Sequence, residues 1–348
     1  MNNMLTAKEQ ETLDRLVYAS ELDPAMPTFP VTRTFRIDVP EFTNVWLKDE
    51  STNETGTHKD RMAWEIIMTY KDMLLAKKEG FNDKPLPNLS IISMGSAALA
   101  IQSQLRKYGL PQLKILVDEG SNKKVLDYLG SIGCEVHKYD LSKRVLTPHD
   151  ILELTQNPDG FDITSNTGFG SGTRYYDWMS DEILGIGADY VIVPFGTGQL
   201  FENILNTTKK SMIEEKVDTV VVENLKIIIR NIKAGKRKCN LIGATTNNPN
   251  SKAVKLYAPF RPFTAMSGDV VRLLAMRGYC GAGSGIREVE EKFIDMGHDL
   301  INERGIPAEY SAAAGMGLLY QIKDEIPRDS RILVVSTGKA KFPEHILL

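Results

Sequence analysis

The chain has 348 residues, of which 42% are hydrophobic and 25% are charged, and it contains 27 glycines and 16 prolines. This composition excludes collagen-like, disordered and disulfide-scaffold proteins, and the length favours a globular protein with two lobes. The 42 Lys and Arg residues against 45 Asp and Glu residues give a formal net charge of −3. Charge therefore gives no reason to expect a nucleic acid or a membrane surface as a partner.

The N-terminal residues lack the basic-then-apolar order of a signal peptide, and the longest apolar runs are too short to span a bilayer. Cys134, Cys239 and Cys280 lie far apart in the sequence and form no C-x-x-C pair. This spacing predicts reduced thiols and no metal site. We therefore expect a cytoplasmic protein.

Short β-branched runs alternate with longer amphipathic stretches along the chain. Strands are predicted, in chain order, at residues 44–48, 89–93, 113–117, 135–138, 190–193, 241–244 and 331–335. Apolar residues at helical spacing run over residues 62–74 and again over residues 286–301. Strands separated by helices predict an α/β fold of parallel sheets with helices on both faces. Residues 89–162 form a β-α-β-α-β pattern of the size of a small lobe.

The most informative segment is residues 47–61, Leu-Lys-Asp-Glu-Ser-Thr-Asn-Glu-Thr-Gly-Thr-His-Lys-Asp-Arg. It combines a strand end, a polar turn with Gly56, and a helix whose first turn holds Lys59. Hydroxyls and backbone N–H groups at a helix N-terminus suit a phosphate, and a lysine there can form a Schiff base with a carbonyl. On spacing alone, a capped helix start with exposed charges is the better explanation.

The same letters resemble the cofactor-lysine motif of the pyridoxal-phosphate enzymes of the tryptophan synthase β family (fold type II), K-x-E-x-x-N-P-T-G-S-F-K-D-R. Glu54, Thr57 and His58 depart from the motif. The resemblance implies pyridoxal 5′-phosphate as the cofactor and Lys59 as the catalytic residue that binds it covalently. The matching residues are Lys48, Glu50, Asn53, Thr55, Gly56, Lys59, Asp60 and Arg61.

Two further segments resemble the family's loops for substrate and phosphate. Ser93-Met-Gly-Ser-Ala-Ala98 resembles the loop that closes on the substrate carboxylate, which implies contacts from Ser93, Gly95 and Ser96. Residues 196–200 follow a predicted strand and open a helix, where backbone N–H groups can cradle a phosphate. Alone, this G-x-G turn is equally compatible with an ordinary strand-to-helix connection. The cofactor-binding residues implied in this turn are Gly196, Thr197, Gly198, Gln199 and Leu200.

Two C-terminal segments complete a resemblance that spans residues 45–338. Residues 308–314 resemble the family's E-P-S-S-A-A element. Residues 334–338 resemble the strand end whose hydroxyl meets the pyridine nitrogen of the cofactor. The matching hydroxyl is that of Thr337, with Ser336 as the second choice. Ser96 is implied as a cofactor contact as well, but the family has an asparagine there that donates to the cofactor's ring oxygen, and the serine is shorter.

Within the family, the segment from Asp162 to Asn166 and the Thr-Gly pair at 337–338 look most like threonine synthase, which implies Asn166 as a substrate-binding residue. That group has an arginine a few residues after the asparagine, where this chain has Phe169. The next arginine is Arg174. Because a buried phosphate ester needs a cationic partner, we expect O-phosphohomoserine to be a poor substrate.

The resemblance implies a two-lobed, three-layer enzyme with a smaller parallel-sheet lobe inserted in a larger one. Residues 1–50 and 163–348 would form the large cofactor-binding lobe, and residues 51–162 the small lobe with the cofactor lysine and the substrate-carboxylate loop. A homodimer acting on a small amino acid is implied.

Three functional hypotheses stay open. The first is a lyase or synthase that performs β- or γ-elimination and replacement, resembling threonine synthase or cysteine synthase. The second is a serine/threonine dehydratase-like deaminase. The third is a pyridoxal-phosphate-binding homologue without turnover.

Overall fold

The structure is a computed structural model that describes residues 27–164, 169, 175–214, 239–257 and 278–347. Within these ranges, ten strands form two separate sheets. The strands are β1 Arg33–Arg36, β2 Val45–Asp49, β3 Leu89–Ile92, β4 Lys114–Asp118, β5 Glu135–Tyr139, β6 Phe161–Asp162, β7 Tyr190–Pro194, β8 Asn240–Thr245, β9 Gly285–Glu288 and β10 Ile332–Ser336. The helices are α1 Lys59–Lys78, α2 Ser96–Lys107, α3 Lys123–Ser131, α4 Pro148–Leu154, α5 Asp177–Gly185, α6 Gln199–Glu214, α7 Glu291–Glu303, α8 Tyr310–Gln321 and α9 Glu344–Leu347, with 3₁₀ turns at Val254–Leu256 and Lys323–Glu325.

The larger sheet has six strands in the order β1-β2-β10-β7-β8-β9. Its central strands β7 and β10 are continuous apolar runs that are almost fully buried, as expected for parallel strands covered on both faces. Strand β2 comes from the first part of the chain and β10 from the last part, and they pair in parallel from Val45 beside Ile332 to Asp49 beside Ser336.

The smaller sheet has four parallel strands in the order β5-β4-β3-β6, all from residues 89–162. Helices α1 and α2 pack against each other, and their apolar faces belong to one hydrophobic core with β3 and β4. The two sheets, one mixed and one parallel, confirm the α/β class predicted from the sequence. Each of the seven predicted strands agrees with an observed strand to within one residue at each end.

The seven predicted strands pair in parallel, but an additional edge strand makes the larger sheet mixed. The predicted helix start at residue 286 is wrong. Strand β1 runs antiparallel to β2 at the edge of the larger sheet. Residues 285–288 form strand β9 on β8, with Gly243 beside Ile286, and α7 begins only at Glu291. Ile286 and Val289 have helical spacing, but pairing with β8 decides the local structure, as tertiary context commonly does for short segments. The short strands β1, β6 and β9 are not predicted from the sequence.

No helix within the described ranges is both long and apolar enough to cross a membrane. Cys134, Cys239 and Cys280 are buried and carry free thiols.

Helices α7 and α8 approach each other closely through two glycines, and α8 packs on β7 and β10. A Cβ atom on Gly317 would lie 2.4 Å from the carbonyl oxygen of Phe293, and one on Gly297 would lie 2.4 Å from the backbone nitrogen of Gly317. The absence of side chains at both positions therefore sets the distance between the two helices.

We predict that Gly317→Ala lowers the melting temperature, because the added methyl group has to displace the backbone of α7. Overpacking of this kind costs about 1–3 kcal/mol. Gly130→Ala is the matched control: Gly130 is also helical, in α3, and a Cβ there would have no atom within 4 Å. The control is expected to be neutral or to stabilise by about 0.5–1 kcal/mol, since alanine is the better helix former. Equal thermal shifts of the two variants would contradict the close packing.

Candidate active site

A cavity at the carboxyl ends of β3, β7 and β10 brings most of the predicted site residues together. This is the edge at which parallel sheets commonly bind ligands. The lining includes the predicted residues Lys59, Ser93, Ser96, Gly196, Thr197, Gly198, Gln199, Leu200 and Thr337. Gly95 and Ser336 are next to lining residues but do not line the cavity themselves. Asn166 and Arg174 lie outside the described residues.

The charged residues of the lysine motif form a buried ion network beneath the site. Arg61 contacts Glu50 through Nη2 at 3.1 Å and Glu182 of α5 through Nη1 at 2.7 Å. Lys48 contacts the same Glu182 at 2.5 Å. The side chains of Lys48, Glu50 and Arg61 are at most 2% exposed. Together these contacts fix the start of α1 against β2 and α5, so that Lys59 has a defined position.

Two glycines allow the motif turn to contact the end of β10. Gly56 and Gly338 have φ values of 87° and 88°, in the left-handed region that favours glycine. A Cβ atom on Gly338 would lie 2.1 Å from the carbonyl oxygen of Gly56. The backbone of His58 donates to the carbonyl oxygen of Thr337, and that of Lys339 to Gly56. This contact places Lys59 beside the end of β10.

The amine of Lys59 is buried beside the ring and hydroxyl of Tyr176. Its Nζ donates to the hydroxyl of Tyr176 at 2.8 Å, and burial lowers the pKa of Lys59 to about 8. Burial raises the pKa of Tyr176 above its usual value, so the phenol stays protonated. His58 stacks on the Tyr176 ring at 5.4 Å, and burial, followed by the charge of Lys59, lowers its pKa well below the usual value. The neutral His58 and Tyr176 therefore add no charge next to Lys59.

The turn after β7 leads directly into α6. Gly198 has a φ of 89°, and a Cβ atom on Gly196 would lie 2.8 Å from the carbonyl oxygen of Lys255. The first N–H groups of a helix have no partner within the helix, so this turn offers donors to an anion. The Gln199 side chain is occupied elsewhere, because its Nε2 donates to the carbonyl oxygen of Thr164 at 2.6 Å. Gln199 can therefore serve an anion only through its backbone.

The loop after β3 is held by its own serine. The Ser93 hydroxyl accepts from the backbone N–H groups of Gly95 and Ala98, at 3.1 and 3.2 Å. Gly95 has a φ of 122°, which turns the chain into α2. Next to the lining residue Thr337, Ser336 Oγ is fully buried and has no hydrogen-bond partner among the described residues.

Sequence reasoning missed two charged residues of the cavity, Lys255 and Glu309. Lys255 Nζ contacts the Glu309 carboxylate at 2.5 Å and donates to Ser96 Oγ at 3.1 Å. Glu309 belongs to a segment that the resemblance identified, but no role follows from the motif. Lys255 lies in the 3₁₀ turn after β8, so its position after the carboxyl end of a parallel strand is the signal that could have found it.

Phe169 is part of the core rather than of the cavity. Its side chain is fully buried and packs edge-on against Tyr70 at 4.7 Å and Phe161 at 6.0 Å. It does not line the cavity. The position at which the sequence was compared with the arginine of threonine synthase is therefore occupied by a residue of the hydrophobic core.

Known proteins resemble this chain in sequence profile and in fold. The profile of a family described as "Pyridoxal-phosphate dependent enzyme" matches residues 28–338. The chain belongs to this family. Among curated proteins, no sequence matches the chain significantly.

Solved structures with a similar fold include an O-ureido-L-serine synthase, with a TM-score of 0.62, 16% identity and coverage of 91% of this chain and 92% of that chain. An O-acetylserine-dependent cystathionine β-synthase from Helicobacter pylori has a TM-score of 0.59 at 15% identity, covering 91% and 94%. Diaminopropionate ammonia lyase from Escherichia coli, solved with an aminoacrylate–pyridoxal phosphate azomethine intermediate, has a TM-score of 0.60 at 14% identity, covering 99% and 93%. The structural similarity shows that the chain shares the fold of these type II enzymes.

The residues around the cavity fit pyridoxal phosphate. The cofactor has an aldehyde, a phosphate, a ring nitrogen and a ring oxygen. Lys59 offers an amine with a lowered pKa for the aldehyde. The glycine turn at 196–198 offers backbone N–H groups at the start of α6 to the phosphate, and the absence of a side chain at Gly196 lets the turn pack against the backbone of Lys255. The unpartnered Ser336 hydroxyl and the Thr337 side chain lie at the end of β10, where a polar ring atom can use them.

We predict that Arg61→Met destabilises the fold by about 3–5 kcal/mol, because it leaves the fully buried Glu50 carboxylate without its main cation. Arg328→Met is the matched control, since Arg328 pairs with Glu41 and Asp324 at the surface. Exposed pairs of this kind contribute about 1 kcal/mol or less. Chemical denaturation of the cofactor-free variants measures both changes, and a small effect of Arg61→Met would contradict the proposed importance of the network.

Proposed function

We propose that this chain is an amino-acid lyase or synthase that uses pyridoxal phosphate for β- or γ-elimination and replacement. The observation that carries the proposal is the convergence of Lys59, the 93–96 loop, the 196–200 turn and Thr337 on one cavity. These four segments are far apart in the sequence, and each supplies a group that a different part of the cofactor or substrate needs.

Each group has a proposed role. Lys59 would hold the cofactor and would accept the proton from the substrate α-carbon. The N–H groups of residues 196–200 bind the cofactor phosphate. Ser93, Gly95 and Ser96 bind the substrate carboxylate, and Asn166 is a further substrate-binding residue. Bound pyridoxal phosphate supplies the electron sink for the reaction.

The hydroxyls at the end of β10 favour elimination over transamination. Ser336 and Thr337 are the residues proposed to meet the ring nitrogen. A hydroxyl, unlike a carboxylate, does not hold that nitrogen protonated. A less protonated ring withdraws electrons less strongly, which favours rapid loss of a leaving group from the substrate.

The similar structures support a reaction at an amino acid without selecting one. They include two synthases and an ammonia lyase. Elimination followed by addition of a nucleophile gives a synthase, and elimination followed by hydrolysis gives a deaminase. The substrate therefore has to be found by assay.

The wider organisation is proposed on the same basis. Residues 51–162 are proposed to form the small lobe, and residues 1–50 and 163–348 the large one. The parallel sheet of residues 89–162 supports this division. A cytoplasmic homodimer remains the prediction from the sequence.

We predict that borohydride reduction of the protein loaded with pyridoxal phosphate labels Lys59, as mapped by mass spectrometry of peptides. The rate of covalent attachment should rise as the pH increases through about 8, because the neutral amine is the nucleophile. Lys59→Ala should lose the label and keep its circular dichroism spectrum. Lys255 is the second lysine of the described lining, so a label on Lys255 would contradict the assignment of Lys59.

We predict that an O-acetylated amino acid reacts faster than O-phosphohomoserine in a panel that also contains serine and threonine. Consumption of the acetylated substrate and a thiol without release of a keto acid indicates replacement, whereas keto acid from serine or threonine indicates a deaminase. A cofactor absorbance that responds to no amino acid indicates binding without turnover. Lys255 is a second cation in the described lining, beside Lys59. Release of phosphate from O-phosphohomoserine is therefore measured directly, and rapid release would contradict the expectation that this compound is a poor substrate.

A further inference from the structure

The cavity contains a lysine that no motif assigns. The Lys255 side chain is 31% exposed and that of its partner Glu309 is 24% exposed, and both side chains line the cavity. Lys255 Nζ is also 3.1 Å from Ser96 Oγ, on the first residue of α2. The amine is thus held between Glu309, just before α8, and Ser96, at the start of α2.

The chemistry of pyridoxal phosphate leaves one group without an obvious partner. Its ring oxygen is an anion next to the carbon that joins the lysine, and an anion in a partly buried site needs a donor. Ser96, which the resemblance aligns with a donating asparagine, has a shorter side chain. Its hydroxyl already accepts a hydrogen bond from Lys255.

We propose that Lys255 donates to the ring oxygen of bound pyridoxal phosphate and thereby replaces the asparagine that is absent at Ser96. This inference rests on the proposed use of the cofactor at Lys59. A charge-assisted hydrogen bond from an ammonium group is stronger than one from a neutral amide. Ser96 and Lys255 together therefore supply the hydrogen bond to the ring oxygen that a single asparagine supplies in the family.

The surrounding charges agree with this role. Glu309 is the described carboxylate in the lining, and a carboxylate beside an anionic cofactor is unfavourable unless a cation lies between them. Lys255 contacts Glu309 and neutralises it. The other titratable side chains of the described lining are Lys59, which binds the cofactor, and His58, which is neutral.

The test uses the full chain, stripped of cofactor and titrated with pyridoxal 5′-phosphate. Lys255→Met keeps the length of the side chain and removes the charge and the donors. It should weaken cofactor binding about tenfold or more. It should also move the pH-dependent change in cofactor absorbance to higher pH, because loss of a cation raises the pKa of the ring oxygen. Lys252→Met is the control, since Lys252 is half exposed and pairs with Asp295 at the surface. It should bind as the wild type does.

A double variant separates contact with the cofactor from support of the fold. Ser96→Asn in the Lys255→Met background should restore both the affinity and the absorbance profile. Unchanged binding in Lys255→Met overturns the proposal. Weaker binding that Ser96→Asn does not rescue, with an unchanged absorbance profile, also overturns it, because Lys255 would then only support the wall. If the wild-type protein itself acquires no borohydride label at Lys59, the proposed function fails first and this inference fails with it.

Discussion

The backbone contact between the motif turn and the end of β10 is the constraint on which the site depends. Gly56 and Gly338 approach so closely that neither tolerates a Cβ atom, and both have positive φ values. The contact joins Lys59, at the start of a helix that packs with the smaller sheet, to the hydroxyls of Ser336 and Thr337 in the larger sheet. Together with the pairing of β2 and β10, this contact holds the amine and the hydroxyls close to each other.

Most letters of the lysine motif serve this placement rather than the chemistry itself. Lys48, Glu50 and Arg61 form the buried ion network with Glu182. Asp60 accepts hydrogen bonds from the backbone and hydroxyl of Thr55. Buried charges are costly unless they are paired, so the network specifies one geometry of the turn. Most residues of the long motif therefore serve to hold the Lys59 amine in position.

The features that could be predicted from the sequence are those that depend on a local hydrophobic pattern or on a long motif. Continuous apolar runs located β7 and β10, and the motif located Lys59 at a helix start. Strand β9 could not be predicted, because only its pairing with β8 distinguishes it from the helix that follows. Lys255 could not be placed either, since its meaning arises from contacts with Ser96 and Glu309 at distant positions. Phe169 is the opposite case. The family resemblance singled out its position for contact with the substrate, but the side chain is buried in the hydrophobic core.

The pairing of β2 with β10 has a consequence for the order of assembly. These neighbouring strands are separated by almost the whole chain, whereas the four strands of the smaller sheet come from one continuous segment. Contacts between distant residues form more slowly than local ones, and a chain emerges from the ribosome from its N-terminus. The smaller sheet can therefore fold before β10 has been synthesised, while the edge of β2 that later pairs with β10 is still unpaired. The last strand to be synthesised in the larger sheet, β10, then closes that sheet and brings Thr337 to the cavity that Lys59 also lines, so that the cavity is complete only when the larger sheet has closed.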